Sequence, residues 1–417
     1  MKYLYIIFMA ISSSYYVTGT QVPFWIRYVV MSLWIGISFL PSIMKKKKIE
    51  GLEYFCLRNY LGPIIFIIAV SFVSWIIKRP SGFSMSYVTR MFSNCFNIIL
   101  AIISAISAVK LFGRKAIKYT VIAIAISIFY NVIGCIRIYG MSLFLQYIKQ
   151  ALFSTDFAYG SALYKLGSAL EVQDTTLATG FYMLYFVFFD KENTTRNKSK
   201  YIIILLLCAY IGFKRTEFLS IIIVSIFIIL CKVFKPKKVM LITGIIMGVA
   251  SFAYVCIVKL GLFSELVDFI GADVTGRVNV YSWLAKYYDL SLLYIGKGFS
   301  YVDKTMFETT GFATHNVIVR MYAEIGCIPF FIWLFWYLIR IPMNILKKFG
   351  EKCSVITFSC ILYLFLTYFI GNSINFFCIQ FSFILIQLLL IFPDKDKSKN
   401  LKGEEYEDSN IVNAESL

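Results

Sequence analysis

The chain has 417 residues, 59% of them hydrophobic, a mean hydropathy of +0.75 and a formal charge of +18. That apolar share exceeds the roughly 45–50% of soluble domains, which excludes a water-soluble fold. The charge does not point to nucleic acid either, because the lysines and arginines stand in short clusters between apolar segments and are not gathered on one soluble face.

The apolar runs approach twenty residues. They read as membrane-spanning helices, since a helix rises about 1.5 Å per residue across a hydrocarbon core about 30 Å thick. In chain order the predicted spans are 3–18, 23–43, 55–77, 91–109, 116–136, 175–190, 201–213, 218–234, 239–258, 322–344, 353–370 and 376–392. The opening "MKYLYIIFMAISSSYY" is read as an uncleaved first helix, because it carries one Lys, lacks a clear small-x-small site and leads straight into a second span.

The charges test this division. With the N-terminus inside, the cytoplasmic segments are 44–54, 110–118, 191–200, 232–238, 340–352 and the tail from 393, and each holds four Lys or Arg. Such regularity is what the positive-inside rule predicts. The expectation is an all-α integral membrane protein with about twelve transmembrane helices and both termini cytoplasmic. Residues 1–392 form a single polytopic domain, and the charged tail 393–417 is disordered. The ten cysteines lie within or beside apolar segments and read as small buried hydrophobes.

Two extracytoplasmic segments, 137–174 and 259–321, are too long for turns, and loops of that length are usually functional. The second carries Trp283, several tyrosines and amphipathic stretches suited to a membrane surface. Where it meets the tenth span, "THNVIVRMYAEIG" holds His315, the one histidine of the chain. Histidine is the side chain suited to proton exchange near neutral pH, although a lone one is often structural. If the stretch is helical, Asn316, Arg320 and Glu324 share a face, either as an intrahelical ion pair or as part of a site.

Arginine forks bind phosphate bidentately, and two outward arginines qualify by position. Arg215 stands with Lys214 and Glu217 in the turn "GFKRTEFL", where a surface ion pair with Glu217 is the alternative reading. Arg277 stands in "TGRVNVYSWL", where an interfacial anchor is the alternative. The glycine turn "GKGFS", 296–300, is a weak phosphate-loop signal. Asp394 and Asp396 form the one Asp-x-Asp, but among the tail lysines, opposite the long loops, they read as solvated tail. No metal or other cofactor is expected.

Taken in order, "FKRTEFL", "TGRVNVYSWL", "GKGFS" and "THNVIVRMYAEIG" resemble the O-antigen polymerase and O-antigen ligase superfamily, integral membrane glycosyltransferases of the bacterial surface. The motif similarity covers about 200–345, and the architectural similarity covers the whole chain. The resemblance implies transfer of a glycan from a polyprenyl pyrophosphate carrier onto a sugar hydroxyl, outside the bacterial cytoplasmic membrane. It implies pyrophosphate recognition by Arg215 and Arg277; Lys214, which departs from the small residue expected before that Arg, is read as a further phosphate contact. It also implies activation of the acceptor by His315 and support from Asn316, Arg320 and Glu324. Charge stabilisation by arginines plus one base is a sufficient kit for a pyrophosphate leaving group without metal.

The expected activity is polymerisation of lipid-linked repeat units into O-antigen or capsule. A ligase passing the polymer to a terminal acceptor, or a flippase or transporter, are the alternatives. The expected partners are the polyprenyl-pyrophosphate-linked oligosaccharide, the bilayer, and flippase and chain-length regulator proteins.

Overall fold

Inside a bilayer no water competes for backbone polar groups, so an apolar chain satisfies them within helices. The computed structural model of the protein follows that rule. It describes residues 1–13, 16–17, 20–21, 24–44, 51–80, 83–153, 161–170, 173–190, 193–212, 215–270, 277–311, 314–369 and 371–392. The predicted tail from 393 lies outside the described residues.

The chain begins with α1 (Lys2–Ser13), the two-residue ladder of β1 (Tyr16–Val17) with β2 (Thr20–Gln21), and α2 (Phe24–Met44). Next, α3 (Gly51–Cys56) runs through a π turn at Leu57–Leu61 into α4 (Gly62–Ile77). Two long helices follow, α5 (Met85–Phe112) and α6 (Lys115–Tyr139). The first expected loop is itself largely helical, with α7 (Met141–Phe153) and α8 (Ala162–Leu170). Then come α9 (Gln173–Leu184), α10 (Thr195–Gly212), α11 (Arg215–Val233) and α12 (Pro236–Lys259).

The second expected loop is broken into α13 (Leu262–Ile270), α14 (Arg277–Leu284), α15 (Tyr301–Thr310) and α16 (Val317–Ile325). The chain closes with α17 (Cys327–Phe335), a π turn at Trp336–Arg340, α18 (Ile341–Tyr368) and α19 (Phe377–Ile391).

Helices therefore run through every apolar segment of the sequence, and among the described residues six helical stretches are long and apolar enough to cross a membrane. One of the six, Cys327–Tyr368, is not straight. Gly350, with φ 82° and ψ 177°, breaks it. The two arms fold back on each other: Ser354 Oγ donates to Pro342 O at 2.7 Å, and the rings of Trp333 and Phe365 lie 5.2 Å apart. The reversal falls inside the basic segment 340–352.

The centre of the bundle is α19, buried along its length apart from Leu390, as expected of a helix that is apolar all round. Several polar side chains inside pair between helices. Tyr60 donates to Gln387 at 2.8 Å, Tyr182 pairs with Ser382 at 2.8 Å, and Tyr5 with Thr120 at 2.6 Å. Such interhelical bonds typically contribute about 0.6–2 kcal/mol in an apolar solvent. On the outside, Ile222, Ile226 and Ile229 of α11 and Ile242, Ile245 and Ile246 of α12 are exposed, a surface suited to lipid. All ten cysteines are free, and eight are buried.

Candidate functional site

The short helices between α12 and α17 are fastened to one end of the bundle by side chains of the long ones. From α4, Trp75 Nε1 donates to Lys297 O at 2.7 Å, and Ser71 Oγ accepts from Phe299 N at 2.9 Å. From α5, Asn94 donates to Ser300 Oγ at 2.7 Å. From α12, Lys259 donates to Ala285 O at 2.9 Å.

The "GKGFS" turn is used up in this fastening. Its Lys297 and Gly298 amides donate to Ala323 O and Glu324 O, at 3.1 and 2.7 Å. With Phe299 N also engaged, these amides do not form a phosphate cradle; they dock the turn on the end of α16. The docking requires glycine. A Cβ on Gly296 would stand 2.2 Å from Glu324 O, and Gly326, which ends α16, has φ +87°.

Under the turn lies a buried ionic cluster. Arg320 is fully buried in α16, with Nε 3.5 Å from Glu324 Oε2 and Nη1 3.5 Å from Asp303 Oδ1. Its Nη1 also donates to Asn372 Oδ1, and the guanidinium lies 5.6 Å from the Phe299 ring centroid. Asn372, in the turn between α18 and α19, donates from Nδ2 to Asp303 Oδ1 at 3.0 Å. Glu324 Oε1 accepts the Asp303 amide at 3.2 Å, and the Ser300 amide also reaches this carboxylate. Glu324 thus caps the N-terminus of α15, where a carboxylate meets unpaired amides and the positive end of the helix dipole.

The same cluster reaches the histidine. Thr314 Oγ1 donates to Asp303 Oδ1 at 3.3 Å. On the other side of His315, Asn316 caps α16, its Oδ1 accepting from Val319 N at 2.9 Å and its Nδ2 donating to Phe369 O at 2.8 Å. His315 itself takes φ 47° between these two buried anchors, and its side chain is half-buried. Positive φ is uncommon for a residue with a Cβ, and it persists only where the surroundings impose it.

The residues singled out in the sequence divide into groups. Arg320 and Glu324 do share a face and pair at i,i+4, but fully buried, in a latch that also holds Asp303 and Asn372. Asn316 is the helix cap. Arg277 opens α14 and is half-buried. Tyr281 of α14 meets the Tyr254 ring at 6.2 Å, and Tyr254 meets at 5.6 Å the ring of Phe369, whose carbonyl accepts from Asn316.

Lys214 lies outside the described residues, and Arg215 is described only as the first residue of α11. The expected surface position of Glu217 is corrected: it is fully buried against Thr179 of α9.

Asp303, Thr314, Asn372 and Tyr254 carried no signal in the sequence, being isolated polar residues far apart along the chain. No family model, no curated protein and no solved structure matches the chain.

Proposed function

We propose that the chain is a membrane glycosyltransferase. It polymerises polyprenyl-pyrophosphate-linked oligosaccharide repeat units into O-antigen or capsular polysaccharide at the outer face of a bacterial cytoplasmic membrane. The observation that carries this reading is the setting of His315: the one imidazole of the chain, half-exposed and fixed between two anchored residues. The order of motifs in the sequence supports it.

In the proposed step His315 takes the proton of an acceptor sugar hydroxyl, and that oxygen attacks the anomeric carbon of the donor glycan. The bond from anomeric carbon to phosphate oxygen breaks, and its electron pair leaves with the polyprenyl pyrophosphate. Arg277, with Arg215 and Lys214, balances that charge; placed donors aimed at developing charge contribute the largest single share in many enzymes. The acid–base step adds typically 10²–10⁴-fold. Asn316, Arg320 and Glu324 hold the frame.

His315→Ala and Arg277→Ala in the source cell test the reading. Short, single-repeat glycan with lipid-linked units accumulating outside the membrane is the expected result, with normal protein levels. Full-length polymer that stays on the lipid carrier would indicate a ligase. Lipid-linked units retained on the cytoplasmic side would indicate a flippase. Normal polymer from both variants would overturn the site.

A further inference from the structure

Glu217 is 0% exposed in the first turn of α11, and it is not part of the cluster around Arg320. Its Oε1 is hydrogen-bonded to Thr179 Oγ1 of α9, while Oε2 has no partner. Among the described residues no Lys or Arg pairs with it. The titratable groups around it are uncharged: Cys208 on α10 and Tyr363 on α18, whose hydroxyl is spent on Leu177 O at 2.7 Å. At the same end of α12, Tyr254 bonds to Tyr281, and Lys259 is engaged by Ala285 O, Tyr288 O and Asp289. On its own segment the nearest cations in sequence are Lys214 and Arg215.

Counting hydrogens favours one state of the carboxyl. The Thr179 hydroxyl has one proton, yet Oγ1 lies against two oxygens: Thr176 O at 2.6 Å and Glu217 Oε1. A helical Thr commonly gives its proton to a carbonyl one turn back. The contact with Glu217 then has a hydrogen of its own when that hydrogen comes from the carboxyl, instead of a share in the one Thr179 gives to Thr176 O.

We infer that Glu217 is a proton-binding site, a neutral carboxylic acid whose O–H donates to Thr179 Oγ1 while Thr179 donates to Thr176 O. Both short contacts are then satisfied, and Oε2 is a carbonyl oxygen without a partner. Burying such an oxygen costs a few kcal/mol, against far more for an unpaired carboxylate. Loss of the proton leaves a bare, unpaired charge where α9, α10, α11 and α18 meet. The site stands whether or not the chain transfers sugars.

The full chain in lipid nanodiscs, with E217Q and T179V, tests this by infrared spectroscopy and by thermal unfolding across pH. Wild type is expected to show a protonated-carboxyl stretch that is missing in E217Q and shifted in T179V. A proton held in the fold and released on unfolding stabilises at low pH, and that contribution is lost as pH rises. The wild-type Tm is therefore expected to fall more steeply with rising pH than that of E217Q, which matches the wild-type Tm at low pH and exceeds it at neutral pH. A stretch that neither variant alters, or an E217Q protein that melts lower at every pH with the wild-type slope, would show an ionised Glu217 and overturn the proposal. If E217Q does not fold, T179V decides: an unmoved stretch overturns it.

Discussion

Thr314 and Asp303 are joined by a hydrogen bond of 3.3 Å, so the residue next to His315 is tied to the carboxylate that also receives Asn372 and faces Arg320. The position of the imidazole therefore depends on a side chain of α15. Thr314→Val removes that bond and little else, at a cost of about 1 kcal/mol. Because His315 is the one histidine, its carbethoxylation is read by mass spectrometry on its own peptide without a competing histidine. Thr314→Val and Asp303→Asn are expected to raise the modification rate several-fold; an unchanged rate would mean that the tie does not hold the loop.

Arg320 is the hub of the buried latch, with two carboxylates and one amide around it. Removing one partner from a buried ionic group typically costs about 3–5 kcal/mol, because the others stay behind uncompensated. Arg320→Met is expected to lower the Tm strongly. The triple change with Asp303→Asn and Glu324→Gln should recover part of the loss, since the orphaned charges go with it. Coupling of this kind is what a mutant cycle on thermal unfolding measures, and strict additivity would break the latch description.

Glycine substitutions separate packing from flexibility. At Gly326, φ +87° makes any side chain strained, and at Gly296 a Cβ meets backbone. Gly296→Ala and Gly326→Ala are each expected to cost about 1–3 kcal/mol. Gly36, inside α2, has nothing within 4 Å of a would-be Cβ. There Ala is expected to be neutral or to stabilise by up to about 1 kcal/mol through helix propensity. Melting curves of the three variants side by side check the contrast.

The parts of this fold legible in the sequence were those set by local composition. Hydropathy located the long apolar helices but not α7, α8 and α13 to α15 inside the two expected loops, and the basic segment 340–352 contains the reversal that Gly350 makes. The i,i+4 spacing of Arg320 and Glu324 foretold their pairing. Their partners were not legible, because Asp303 and Asn372 lie 69 residues apart and meet only through the docking of α15 on the α18–α19 turn. Glu217 was misread for a related reason. A charged residue beside Lys214 and Arg215 looks like part of a surface turn, and only the packing of α9 and α18 on α11 shows it buried.

The same charge pattern predicts an orientation, which a labelling experiment tests directly. The positive-inside rule puts the Gly350 reversal in the cytoplasm and the α15–α16 end outside. Ser291 is exposed near the latter end, and Lys348 is exposed at the reversal. In a background without the native cysteines, Ser291→Cys is expected to react with a membrane-impermeant maleimide in intact cells. Lys348→Cys is expected to react only after permeabilisation. The opposite pattern would turn the His315 face toward the cytoplasm, and an acceptor glycan outside the cell membrane could not reach it.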